Sequence, residues 1–202
     1  MPKDINLSHD RVLGAARDEF MEYGYQKASM RRIGKRCDMS AAGLYRHCQD
    51  KEDLFSILVQ PSVDKINRWT AEHIKRNTSS MEERRIDIWK DSQIDMMRGL
   101  IYPNMDEYRL LFCKAQGSKY ENYLHELIEK SQRKMLEYLP LLRENGYAQK
   151  PITENELHLL LSAYMTAMFE PLMHDWSKDE AYRCLDIVED FFLPGWKELF
   201  GI

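Results

Sequence analysis

The 202-residue chain contains no apolar run of about twenty residues, the length a bilayer-spanning helix needs. Its opening segment, MPKDINLSHD, is too polar for a signal peptide, which predicts a cytoplasmic protein with no membrane association. Cysteine is scarce and scattered (Cys37, Cys48, Cys113 and Cys184), with no Cys-x-x-Cys pair, so reduced, buried thiols are expected. No alternating strand pattern, Gly-turn hairpin or internal repeat occurs, and the chain reads as all-α. The marks of an enzyme are missing too: there is no Gly-rich phosphate loop, nucleophile elbow or ordered carboxylate pair. His125-Glu126-Leu127-Ile128-Glu129 begins like a zinc-protease helix but lacks the second His, and reads as a solvated face. His47 and Cys48 are adjacent, so on a helix they point apart. No metal, cofactor or catalytic residue is expected.

Charge is unevenly spread. The chain carries a net −4, but residues 1–51 hold a net +3 and residues 52–202 a net −7. A basic head on an acidic body is the pattern of a nucleic-acid module joined to something else.

Caps and breakers divide the chain into helices. Ser8 opens a helix whose core face is Val12, Ala15, Ala16 and Phe20, and Gly24 ends it. Asp50 opens a longer helix, kinked at Pro61, which a turn at Asn77-Thr78-Ser79-Ser80 closes. Ser80 with Glu83, Ser118 with Glu121 and Thr153 with Glu156 have capping-box spacing. Pro103-Asn104 breaks the helix that carries Ile86, Trp89, Ile94 and Met97. A short helix follows from Asp106 to Gln116, Gly146 ends the helix after Ser118, and the last runs from near Asp179 to just before Pro194-Gly195. The total is about nine helices, three before residue 51 and six after it.

Residues 29–51, SMRRIGKRCDMSAAGLYRHCQDK, are the most informative stretch. Ser29 can cap a helix with Met30, Ile33 and Cys37 on its apolar face, and Arg31, Arg32, Lys35 and Arg36 mostly opposite. A hinge follows at Cys37-Asp38-Met39-Ser40, where Asp38 tolerates the left-handed backbone such turns need. Ser40 then caps a second helix, Ala41 to Cys48, whose small first residues could approach base edges. This is a helix-turn-helix pattern.

From about Asp10 to Leu58 the order of elements resembles the DNA-binding domain of the TetR family of bacterial transcriptional regulators. Arg11-Val12-Leu13 through Phe20 and Tyr23-Gly24-Tyr25 resembles the family's first helix. Ser29-Met30-Arg31-Arg32-Ile33 resembles the start of the second. Met39 through His47 resembles the recognition helix, and Asp50-Lys51-Glu52-Asp53-Leu54 resembles the start of the fourth. Gly34, Asp38 and Cys48 depart from the usual Ala, Gly and aromatic. Gly34 should cost about 1 kcal/mol of helix propensity against Ala. The resemblance implies a helix-turn-helix DNA-binding domain over 1–50 and a helical effector-binding and dimerisation domain over 51–202. It places Ala41, Ala42 and Gly43 against bases, and Ser29, Tyr45, His47 and Lys51 near phosphate. Arg31 is the best candidate to read guanine, and Ser40 caps the reading helix.

The rest of the chain supplies candidates of two further kinds. Trp89, Met96, Tyr108, Phe112, Met165 and Phe169 are expected to line a pocket for an apolar or amphipathic effector. The two terminal helices carry apolar stripes wider than one buried face needs, so Leu161, Tyr164, Met168, Leu185, Val188 and Phe192 are candidates for a homodimer interface. The expected function is that of a dimeric repressor on double-stranded DNA, released from an inverted-repeat operator by a small molecule. The alternative is a DNA-binding protein of the same fold that answers to a protein partner.

Overall fold

The computed structural model describes residues 3–82, 93–147 and 150–201, most of them helical, with no strand among them. The chain divides into two compact units: residues 1–65 with 106–122, and residues 66–105 with 123–202. A single cut near residue 50, as the sequence invites, does not follow this grouping.

The first unit holds α1 (Lys3–Lys27), α2 (Met30–Arg36), α3 (Ala41–Leu44) and the start of α4 (Lys51–Glu82). Gly24 breaks α1 with φ 71°, as its glycine predicts. Val12, Ala16, Phe20, Ile33, Leu44, Leu54, Phe55 and Val59 are fully buried and form the core. Phe55 sits edge-on to Phe20 at 5.0 Å and to Tyr25 at 5.1 Å. The same unit includes all but the first residue of the helix Met105–Cys113 and the turn that follows it. There the Tyr25 N–H donates to the Lys114 carbonyl at 2.7 Å, and the Tyr120 hydroxyl donates to Gln60 Oε1 at 2.8 Å. The expected Ser118–Glu121 capping box does not form. Gly117, at φ 84°, turns its N–H onto the Glu121 carboxylate at 2.9 Å, and the Ser118 hydroxyl donates to the Ala115 carbonyl at 2.7 Å. The next helix begins at Tyr123 instead.

Glu19 locks α2 onto α1. Its carboxylate is fully buried. One oxygen accepts from the Ser29 N–H at 3.0 Å and from Arg32 Nε at 2.6 Å, and the other lies 3.3 Å from Arg36 Nε. Arg36 also pairs with Glu22, and the Arg32 guanidinium lies 4.3 Å over the Tyr23 ring. A buried carboxylate needs this compensation.

Gly34 has a purpose beyond propensity. Met39 N–H donates to the Gly34 carbonyl at 2.8 Å, closing the hinge. A Cβ built on Gly34 would lie 2.9 Å from the Met39 carbonyl oxygen, and that oxygen is backbone.

The second unit holds the remainder of α4, α5 (Gln93–Met96), a π-helical turn at Met97–Ile101, a 3-10 turn at Tyr102–Asn104, α7 (Tyr123–Glu144), α8 (Glu154–Met173) and α9 (Lys178–Phe200), with α6 naming the helix Met105–Cys113. The turn expected at residues 77–80 is absent: α4 continues helical through it, and through Pro61. Ile86, Trp89 and Glu83 lie outside the described residues. Buried Tyr102 donates its hydroxyl to the Met168 carbonyl at 2.7 Å, and burial pushes its phenol up. Thr153 and Glu156 form the expected capping box, and Ser177 with Glu180 forms one the sequence reading missed. Nor does α9 stop before Pro194. It runs to Phe200 and ends on Gly201 at φ 72°. Trp196 and Phe200 are buried beyond the proline. Burying two such side chains, each worth about 1.5–3 kcal/mol, offsets the roughly 3 kcal/mol of an internal proline.

Two substitutions test the first unit. Gly34→Ala should lower stability by about 1–3 kcal/mol in denaturant unfolding, because the clash outweighs the gain in helix propensity. A more stable variant would refute the close approach. Glu19→Gln should cost about 2–3 kcal/mol by removing the charge that holds two guanidinium groups. Unchanged stability would mean that the cluster contributes nothing.

Candidate nucleic-acid interface

The hinge between α2 and α3 is built as its residues require. Asp38 adopts φ 55°, the left-handed conformation expected at that position. The Arg11 guanidinium, from α1, donates to the Cys37 carbonyl at 2.8 Å and reaches the Asp38 carboxylate at 3.5 Å. Ser40 caps α3, its hydroxyl accepting from the Gly43 N–H at 3.1 Å. The helix is shorter than the expected Ala41 to Cys48. It ends at Leu44, and tight turns follow, with Arg46 N–H on the Gly43 carbonyl and His47 N–H on the Leu44 carbonyl. Leu44 and Cys48 are buried and anchor the segment from beneath. Burial pushes the Cys48 thiol up, so it is an inert packing group.

The expected contact residues separate by exposure. Arg31 is exposed and makes no ion pair among the described residues, unlike Arg32 and Arg36. Ser29 is extended at the start of α2, but its hydroxyl does not cap the helix, and its N–H goes to Glu19. Ala42 is exposed, and Tyr45 is 52% exposed. Gly43 is covered, with Met39 and Ser40 against the position a Cβ would take, so Ala42 and the following turn form the surface. The Ala41 side chain lies outside the described residues. Arg46 is exposed. His47 is half-buried, its ring 5.8 Å from that of His9.

Lys51 is placed differently from the phosphate ligand the resemblance implies. Its ammonium donates to the Tyr25 carbonyl at 2.9 Å and reaches those of Gln26 and Ala28 at 3.4 and 3.5 Å. It also lies 4.4 Å over the Tyr25 ring. An ammonium has three donors, and here they converge on the carbonyl-rich end of α1. Tyr25, beside it, has its phenol pushed up to about 12 by burial and by Glu52.

The other candidates fall in both units. Tyr108 and Phe112 belong to the first, and Met96, Met165 and Phe169 to the second. All except half-buried Phe112 are buried, and Trp89 lies outside the described residues. Leu161, Tyr164, Met168 and Leu185 are buried inside the second unit, so they are core and not surface. Tyr164 packs at 5.1 Å on Phe192, which with Val188 is half-buried. The apolar side chains that α8 and α9 leave outside are Leu159, Leu160, Met173, Ile187 and Phe191, the last 76% exposed. Beside them is a groove of about 340 Å³ lined by Leu160, Phe191, Phe192, Trp196 and Leu199 among others. The width of the stripe signalled a second face, but spacing alone did not say which side of it was outermost. His125, as expected of a solvated face, is exposed and pairs with Glu129 at 3.2 Å. No helix among the described residues is long and apolar enough to cross a membrane.

Comparison with known proteins places this arrangement. Residues 12–57 match the family model for bacterial regulatory proteins of the tetR family. The HTH-type transcriptional repressor Rv1474c of Mycobacterium tuberculosis is 36% identical over 56 residues, 28% of this chain and 30% of that protein. The HTH-type transcriptional regulator UidR of Escherichia coli K12 is 37% identical over 59 residues, 29% of this chain and 30% of its own. These two matches therefore span under a third of the relatives' length. The HTH-type transcriptional repressor AcnR of Corynebacterium diphtheriae is 22% identical over 191 residues, 93% of this chain and 92% of AcnR. A solved structure from Mesorhizobium loti, described as of the TetR family, covers 94% of this chain and 96% of its own at 21% identity, with a TM-score of 0.48. Over residues 12–57, the chain is similar to the tetR family of bacterial regulatory proteins.

Proposed function

We propose that this protein is a homodimeric repressor that binds an inverted-repeat operator in double-stranded DNA and is released by a small apolar or amphipathic molecule. The observation that carries the DNA-binding part is the state of the basic cluster. Glu19 and Glu22 engage Arg32 and Arg36, whereas Arg31 is left exposed, as are Ala42 and Tyr45. Arg31 reads a base edge, Tyr45 and His47 hold phosphates, and Ser29 donates its uncommitted hydroxyl. AcnR, whose match runs over 191 residues, is named a transcriptional repressor, which supports the direction of control.

Dimerisation rests on the outward side chains of α8 and α9. Leu159, Leu160, Ile187 and Phe191 would be covered by the same face of a second copy, with Val188 and Phe192 at its margin. A two-fold pair sets its reading helices roughly 34–36 Å apart, one turn of duplex. An effector held among side chains such as Met96, Met165 and Phe169, or Tyr108 and Phe112, can release DNA only by favouring a state that binds DNA less well.

Three measurements test this reading. Arg31→Ala should cost about 1–3 kcal/mol of discrimination at one operator base pair, and Tyr45→Phe should weaken binding on all sequences alike. Equal loss on every sequence for Arg31→Ala would remove its base-reading role. Phe191→Asp should shift sedimentation from dimer to monomer and reduce protection to a half-site; an unshifted dimer would move the interface elsewhere. An inducing molecule should weaken operator affinity by the same factor as the operator weakens the inducer, and one-way coupling at equilibrium would rule the release scheme out.

A further inference from the structure

We infer that His9, at the start of α1, joins His47 in holding one backbone phosphate of bound duplex DNA between two imidazole rings. The inference rests on the DNA-binding reading above and adds to it a residue from a different helix. The two rings have centres 5.8 Å apart and are tilted by 34°. Both are half-exposed, and neither ring is hydrogen-bonded within the described residues. A phosphate oxygen about 2.7–3.2 Å from a nitrogen of each ring fits between centres at that separation. Even a neutral imidazole offers one N–H donor.

Both rings are held in place by backbone anchored to the hinge. Two residues beyond His9, Arg11 bonds the Cys37 carbonyl and Asp38, which ties this end of α1 to the turn between α2 and α3. His47 is fixed by its N–H on the Leu44 carbonyl, directly after the reading segment, with exposed Tyr45 two residues before it. A phosphate held at His47 therefore lies within reach of His9 without any rearrangement of α1. In the core of a protein a ring pair of this kind would be packing. At a half-exposed edge next to the reading segment, its open nitrogens face a polyanion.

The test separates ring packing from hydrogen bonding. His9→Phe keeps a ring against His47 but removes the donor, and His9→Gln restores a donor without the ring. Binding of full-length protein to a labelled duplex, operator or unrelated sequence, is measured by fluorescence anisotropy, with thermal unfolding of each variant alongside. The expected result is a loss of about three- to ten-fold for His9→Phe on both sequences, the size of one hydrogen bond, with most of it recovered in His9→Gln. Parent-like binding by both variants would overturn the inference and leave the DNA-binding reading intact. A loss in both variants that tracks lowered unfolding temperature would assign His9 to packing and likewise overturn it. A parent protein that binds no duplex at all would sink the DNA-binding reading, and this inference with it.

Discussion

Glu19 is fully buried, and a carboxylate in that position is tolerable only while its partners stay in place. Those partners are the first N–H of the α2 approach and two guanidinium groups on α2 itself. The consequence reaches beyond stability. With Arg32 and Arg36 turned toward α1, the helix has one defined rotation, and in that rotation Arg31 points away from the cluster. Half of what reads as a basic patch in the sequence is thus scaffold, and it orients the residue that remains. An Arg-for-Lys exchange at Arg32 or Arg36 would not be conservative, because a point charge cannot reproduce the guanidinium's directed contacts.

A second constraint fixes the angle between α2 and α3. The hinge is closed by a bond from the Met39 N–H back to the Gly34 carbonyl, which requires Asp38 in the left-handed region and nothing but hydrogen on the Gly34 α-carbon. The two departures from the family's usual residues are therefore linked. Asp accepts the left-handed backbone less readily than Gly, and Arg11 contributes by binding both Asp38 and the preceding carbonyl. What looks in sequence like a pair of weakened positions is one compact turn with its own clamp from α1.

The legible parts of the chain were those governed by local chemistry. Gly24, Asp38, Gly146 and the Thr153–Glu156 box all depend on a few neighbouring residues, and the structure forms them as spacing predicts. The failures have a common cause: a tertiary gain outweighed a local signal. Pro194 did not end α9, because Trp196 and Phe200 are buried beyond it. Ser118 and Glu121 did not cap a helix, since the positive φ of Gly117 gave Glu121 a different donor. Lys51 reads as a phosphate ligand from its place in the motif, yet its ammonium meets three carbonyls of a helix some twenty-five residues earlier, a contact no local pattern encodes. The terminal stripes failed more subtly. Their width was readable, but Leu161 and Leu160 are adjacent in sequence, and only packing shows that the first is core and the second is outside.

This sorting of charges bears on how tightly one head could grip DNA. Within residues 29–51, the cations with no ion pair among the described residues are Arg31, Lys35 and Arg46, since Arg32, Arg36 and Lys51 are engaged inside the protein. Each phosphate neutralised contributes about 0.9 to the salt slope, so with Arg31 on a base edge, as proposed, the other two cations give a slope of only about −2 for a single head. That is a weak, easily screened attachment. In the dimer we propose, two heads would change the arithmetic, because the second would bind at an effective concentration set by the first. The same doubling makes spacing matter. With little electrostatic grip per head, a small mismatch between head separation and half-site separation forfeits the second contact and most of the affinity with it. A reader with half of the cations in this segment engaged in its own architecture would for that reason be well suited to the switching by geometry that we propose.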